Sequence, residues 1–305
     1  MSRKVSGDYL MIKLFLIIFS LSFVNSETLA SSHYDAEFFD DNNLCHAFPD
    51  NNLYYPSNLK SLGLTRPEFE KHLRDFERIM SDKVKMNYGR RLIVEGEWDN
   101  ARVNAFATRD ENQNPIIKMT GGMARHPQMD RDSLFLILCH ELGHHFGGAP
   151  KQMRGNSDLR SWSSAEGQAD YYASTKCMPY LLDKLSQRGE VRIPGHKLNE
   201  YGQVCRGERC LQIVAAAERV AHLFYDVRPQ GRVPEVLSRD QQSVFRTNLG
   251  HPTPQCRLDT FISGANCPVP PETMFDDNDP LRAACPSNDK RDGGRPLCWF
   301  NTERF

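Results

Sequence analysis

An α+β fold is predicted for this chain, with a short mixed sheet, a helical second half and a loop-rich C-terminal tail. Two observations predict it. The patterns run as one amphipathic helix, three nearby strand-like segments and then several helices, which is not the alternation of a βαβ fold. The last residues, from Cys267 to Phe305, are rich in Pro, Asp, Asn and Gly and show little periodicity. The bulk composition agrees: 305 residues with 39% hydrophobic content support a core. A net charge of -1 and a pI near 6.8 argue against a nucleic-acid binder, whose domain would carry a pI above about 9. Mean hydropathy of -0.57 excludes a multi-span membrane protein. No internal repeat is present.

The first element is an apolar run, Leu14 to Val24, preceded by Lys13. Its 11 residues fall short of the roughly 20 that a membrane-spanning helix needs. A basic residue, a short apolar core and then small residues describe a secretory signal peptide. Cleavage after Ser26 or after Ala30 suits a signal peptidase, and Met11 is an alternative start. No cysteine follows the run, which disfavours a lipoprotein. The expected organisation is a signal peptide over 1–26, an extension over 27–63, a main domain over 64–262 and a Cys/Pro-rich tail over 263–305. The destination is then periplasmic or secreted, with no membrane span left after signal removal.

Within the main domain, Thr65-Arg66-Pro67-Glu68 forms a capping box with Pro near the first turn. The helix it opens places Phe69, Leu73, Phe76 and Ile79 on one face. Arg91 to Trp98, Arg102 to Thr108 and Pro115 to Thr120 read as strands, and Gly121-Gly122 breaks the chain. A buried helix follows, with Asp132 as N-cap and Gly147-Gly148 as its stop. Further helices are expected over about 164–187 and 211–225.

Nine cysteines are an odd number, so at least one is unpaired within the chain. Cys205 and Cys210, Cys256 and Cys267, and Cys285 and Cys298 lie close together, which suggests disulfides in an oxidising compartment. Connectivity does not follow from sequence. Without any CxxC, zinc held by cysteines is the weaker reading. Two or more bridges are expected among the last six cysteines. Cys139 is the expected free thiol, and Cys177 is placed to bridge to the Cys205–Cys210 segment.

The chemistry centres on His140-Glu141-Leu142-Gly143-His144, an HExxH on a helix. Four residues are just over one turn, so both imidazoles leave one face and can share a metal ion. Glu141 beside them is placed to take a proton from water. A catalytic zinc needs a third protein ligand and an open position. Position 150 is Pro, which rules out the longer HExxHxxGxxH pattern. His145 points about 100° away from His144 around the helix. Glu166 remains, 22 residues after His144, with Asp170 one turn later on the same face as a partner for a ligating histidine.

HExxH followed by ExxAD (Glu166 to Asp170) resembles the gluzincin peptidases that include the HtpX-type proteases and the CAAX prenyl endopeptidases. Asn104-Ala105-Phe106-Ala107 looks like that family's NAFA strand, and Ile117 to Gly122 like its next strand and glycine. His251-Pro252 with Arg257-Leu258 resembles an HPxxxxR segment. The resemblance covers about residues 95–260. It implies a zincin-like domain binding one Zn2+ through His140, His144 and Glu166, with catalytic Glu141, supporting Asp170, and Asn104, Ala105 and Phe106 lining a polypeptide cleft. The interval between the two motifs is short for the family and membrane helices are lacking, so substrate carry-over from CAAX processing is unjustified.

His251 is read as an oxyanion stabiliser, an occupant of the open zinc position, or a plain turn histidine before Pro252. Tyr171 and Tyr172 are more readily helix-packing aromatics than catalytic groups, and His222 is structural. The expected function is zinc-dependent hydrolysis of peptide bonds in protein substrates. A catalytically silent polypeptide-binding module and a purely structural zinc domain are the alternatives. If the apolar run is a signal, N-terminal sequencing of natively produced protein begins at or soon after Glu27. A terminus retaining Leu14 to Val24 would exclude the signal.

Overall fold

The structure, a computed structural model, describes residues 45–46, 48–154, 159–185, 193–286 and 293–302. The apolar run Leu14 to Val24 and both cleavage positions lie outside these residues. Among the described residues no helix is long and apolar enough to cross a membrane.

The fold is α+β. Strands β1 (Cys45–His46), β2 (Ile93–Glu97), β3 (Ala105–Arg109) and β4 (Pro115–Thr120) form one sheet in the order β1-β3-β4-β2. β3 is antiparallel to both neighbours, whereas β2 runs parallel to β4, so the sheet is mixed. Helix α1 (Arg66–Tyr88) buries Phe69, Leu73, Phe76 and Ile79, the four residues its periodicity singled out. Its start is locked by Glu68, which accepts from the Thr65 backbone N–H at 2.9 Å and the Thr65 hydroxyl at 2.6 Å.

Gly121-Gly122 does not break the chain into a loop. It opens a short helix, α2 (Gly121–Arg125), capped by the Thr120 side chain. Glycine is required because a Cβ at either position would strike the backbone at Trp98 or at Ala101 and Arg102. Helix α3 (Arg131–Phe146) follows, and all of its residues are buried. Its N-cap is Asp130, whose Oδ1 accepts from the Ser133 N–H at 2.8 Å, and not Asp132. Asp132 sits two positions later, bonded by Arg131 Nε (2.8 Å) and Gln212 Nε2 (2.6 Å). The two acids compete for one cap, and only the burial of Asp132 decides between them. The helix stops as expected: Gly147 caps it and Gly148 turns left-handed at φ 72°.

A hairpin of β5 (Lys151–Met153) and β6 (Arg160–Ser164) leads into α4 (Glu166–Tyr172). A π-turn (Ala173–Cys177) joins α4 to α5 (Met178–Lys184) in one rod. Helices α6 (Gly195–Gly202), α7 (Glu208–Val227) and α8 (Pro254–Asn266) complete the set. α3 lies at the centre, packed against β3, β4, α4, the π-turn and α7, while α7 and α8 pack on each other. His222 on α7 is structural, its Nε2 paired with the Pro234 carbonyl at 3.0 Å.

Four disulfides lie among the described residues, and their pairing corrects three expectations. Cys139 is not free: it bridges to Cys177. Cys177 therefore does not reach the Cys205–Cys210 segment, whose two cysteines pair with each other. The last four cysteines cross over, as Cys256–Cys298 and Cys267–Cys285, so neighbours in sequence are not partners in space. By counting, the ninth cysteine is Cys45. The disulfides place folding in an oxidising compartment. Beyond α8 the tail forms no further helix or strand element among the described residues. It is nonetheless anchored, with Trp299 and Phe300 fully buried against Tyr171 and the Cys256–Cys298 bridge.

Non-reducing peptide mapping should recover these four pairs, and a Cys256–Cys267 peptide would contradict the crossed arrangement. Cys139–Cys177 closes a separation of 38 residues. Replacing both cysteines by Ala should therefore cost about 4 kcal/mol in a denaturant melt on the chain-entropy account.

Candidate metal centre

The last turns of α3 carry His140, Glu141 and His144, and the first turn of α4 carries Glu166. The two helices can meet because residue 143 is Gly. A Cβ there would lie 2.7 Å from the Ala169 carbonyl oxygen and 2.8 Å from its Cα. At this separation the ligand atoms converge. His140 Nε2 lies 3.1 Å from His144 Nε2 and 3.3 Å from Glu166 Oε2, and His144 Nε2 lies 3.5 Å from Glu166 Oε1. All three side chains are buried. Together they form a buried group that could hold a metal ion.

The far side of each imidazole decides what its near side can do. His140 Nδ1 is 2.7 Å from Asp170 Oδ1, and a carboxylate there accepts the Nδ1 proton. His144 Nδ1 is 2.9 Å from the Ser164 carbonyl, with the Ser163 hydroxyl at 3.1 Å. With both Nδ1 protons donated outward, both Nε2 lone pairs point inward, toward each other and toward a carboxylate. Three electron pairs gathered in a dry site repel one another unless a cation, a metal ion or a proton on one imidazole, lies between them. The donor set thus fits a metal.

Without a metal, that cation is a proton on His140. Burial pushes the His140 imidazolium down, but the Asp170 charge, its hydrogen bond and Glu166 outweigh it and raise His140 to about 9. A metal would displace that proton. Burial holds His144 down at about 4. Burial alone would raise Glu166, yet His251, His144 and His140 hold it well below the usual carboxylate range. Asp170 is likewise lowered against its burial by Arg257 and His140. Glu141 goes the other way: burial, with Glu166 and Asp170 nearby, pushes its carboxyl up to about 8. Neither of its oxygens has a hydrogen-bond partner among the described residues.

The other predicted residues fall into two groups. His251 is brought to the centre, its Nε2 3.4 Å from Glu166 Oε2. His145 faces away, stacked on Trp162 at 4.8 Å with its Nε2 toward the Ile116 carbonyl. Tyr171 packs the tail, donating to the Gly293 carbonyl and accepting from the Cys285 N–H, and Tyr172 lies in the main core. Asn104 and Ala105 are buried at the start of β3 and Phe106 is half-buried. Asn104 Oδ1 accepts from the Ala105 N–H at 2.9 Å, and its amide points at the Phe48 carbonyl at 3.5 Å.

One residue carries more than its sequence signal gave it. Arg257, on the first turn of α8, grips Asp170 with two hydrogen bonds, Nε to Oδ2 and Nη2 to Oδ1, both 2.7 Å. Its Nη2 is also 3.3 Å from His140 Nδ1, and the guanidinium rests on the Phe224 ring at 3.5 Å from the centroid. The buried charge of Asp170 is balanced by this fork, which only Arg presents. A basic residue six positions after His251 was the available signal.

Replacing His140, His144 or Glu166 by Ala should remove most bound metal, measured by equilibrium dialysis against zinc on protein shown to be folded by circular dichroism. Asp170→Ala should weaken binding about 10–100-fold, as removal of a partner behind a ligand does. Wild-type affinity in Glu166→Ala would move the third ligand elsewhere.

No known protein family, characterised protein or solved structure matches this chain, so the site is interpreted on its own geometry.

Proposed function

We propose that the chain is an exported zinc-dependent endopeptidase, hydrolysing peptide bonds in protein substrates with Glu141 as general base. The single observation that carries this reading is Glu141 itself. A carboxyl group buried without a hydrogen-bond partner costs several kcal/mol, and a site built only for structure gains nothing from it. Structural zinc sites, moreover, usually fill all four positions with Cys and His, whereas here the donors are two nitrogens and a carboxylate. Two histidines and a glutamate are a ligand set of zinc hydrolases with a position left for water or substrate.

Zinc at this position would polarise a carbonyl group and make water more acidic. The residues do the rest. Asp170, charged and locked by Arg257, accepts the His140 Nδ1 proton and keeps Nε2 available. The Ser164 carbonyl does the same for His144. Glu141, in its ionised form, accepts a proton from the attacking water on a carboxylate oxygen and returns it to the leaving amine nitrogen. His251, beside Glu166, is the neutral donor nearest the centre, and burial keeps it below the ordinary imidazole range. Its Nε2–H stabilises negative charge growing on the carbonyl oxygen. Asn104, Ala105 and Phe106 on the β3 side contribute the wall against which a polypeptide lies extended.

Glu141→Gln keeps the volume and all three ligands but cannot take a proton. It should retain about one zinc per chain while losing hydrolysis by at least about 10²-fold, the lower end for a general base. The measurement pairs metal analysis with a proteome-wide cleavage profile of wild type and variant. Equal cleavage by both would remove Glu141 from the reaction.

A further inference from the structure

One stretch of chain beside the metal centre has no part in the mechanism above. Residues 45–46 and 48–55 run antiparallel along residues 101–107. Cys45 and His46 pair with Ala107 and Phe106 as β1, and the Asn104 amide donates to the Phe48 carbonyl. The Asn51 amide donates to the Val103 carbonyl at 3.1 Å, Tyr54 bridges to Arg102, and the Tyr55 N–H donates to the Ala101 carbonyl at 2.8 Å. β1 is therefore the outer strand of the sheet and covers the edge of β3, the strand that carries the cleft residues.

Phe48 anchors this stretch. It is fully buried, and its ring lies 4.8 Å from that of Phe224, the ring that also carries the Arg257 guanidinium. Phe48 and Pro49 wall a cavity of about 20 Å³ whose other walls include His251, Pro252 and Arg257. That volume holds about one water molecule. His251 and Arg257 both lie against the Glu166 carboxylate. The stretch thus walls the small cavity that borders His251 and Arg257. An extended substrate hydrogen-bonded to β3 would lie about 4.8 Å from it, where β1 already lies.

We infer that Cys45, His46, Phe48 and Pro49 form an internal strap occupying the substrate's place beside β3, and that a polypeptide reaches the metal centre only once this strap is displaced. The inference rests on the endopeptidase reading of the site. The pairing is short, two residues of ladder, and the aromatic anchor is a single side chain. An extended polypeptide carrying an aromatic residue can replace both, taking the β3 edge with its backbone and the Phe224 seat with its ring. The same features make the strap reversible: it has a substrate's shape and is held by a substrate's contacts.

Two full-length variants test it. His46→Pro puts a residue with a fixed φ and no N–H into the two-residue ladder, and Phe48→Ala removes the anchoring ring. Zinc-loaded wild type and variants are compared by the rate at which excess EDTA takes up the zinc, and by hydrolysis of labelled, unfolded casein. Both variants should release zinc at least about tenfold faster and cleave casein at least about tenfold faster, with near-UV circular dichroism preserved. Phe48 belongs to the core, so His46→Pro keeps the test decisive if Phe48→Ala does not fold. Folded variants that match wild type in both rates would overturn the strap. Faster zinc release without cleavage by any form would support the strap and overturn the endopeptidase reading instead.

Discussion

The carboxylate of Asp170 is the point on which three helices agree. It lies on α4, receives His140 from α3 and takes the two-pronged grip of Arg257 from α8. Burying an ion costs several kcal/mol even after relaxation, and the cost is offset only when every lone pair and proton is used. Here the geometry meets that demand. Loss of any one partner strands a charge in the interior, so helix packing and ligand orientation rise and fall together. His144 has a different support, the Ser163 hydroxyl and Ser164 carbonyl at the end of β6. The β5–β6 hairpin and α8 supply no ligand of the three-residue group, yet each holds one imidazole in line.

A wholly buried helix ending in charged and polar side chains needs firm surroundings. The Cys139–Cys177 bridge ties α3, one residue before His140, to the π-turn that continues from α4. On the other side of α4 the tail takes hold. The Trp299 ring lies where a Cβ on Gly167 would be, Arg295 donates to the Gln168 side chain at 3.0 Å, and Tyr171 is bonded to residues 285 and 293. The helix bearing Glu166 is thus held between a disulfide and a packed tryptophan. Regular structure in the tail is unnecessary for this, because two cross-links fix its ends.

How much was legible followed from how local each signal is. The α3 ligands, Glu166 and Asp170 stand one turn apart on their helices, and periodicity converts that spacing directly into a shared face. The strands and α1 were similarly readable from runs of a few residues. Disulfide pairing was not, since it depends on how α3, the π-turn and the tail are brought together. Asp130 and Asp132 both satisfy the rule for an N-cap, and burial of the second by Gln212, 80 residues away in sequence, separates them. Helix α8 went unseen because Thr253-Pro254 opens it inside a stretch of turn formers, although Thr253 caps it and Pro fits its first turn. The covering of β3 by Cys45 and His46 rests on a pairing of segments about sixty residues apart, a distance over which no sequence pattern is informative.

Gly143 bears on which ion such a group could hold. The helix crossing is set by contact between the missing side chain at 143 and the backbone of Ala169. Glu166 lies less than one turn before that contact, and His144 immediately after its counterpart on α3. The gap between the two donor groups is therefore fixed by the thickness of a main chain and not by the reach of flexible side chains. A scaffold gauged in this way would suit small ions with short bonds. Larger cations, with longer bonds to more oxygen ligands, would have to push the two helices apart, and the disulfide beside His140 resists that movement.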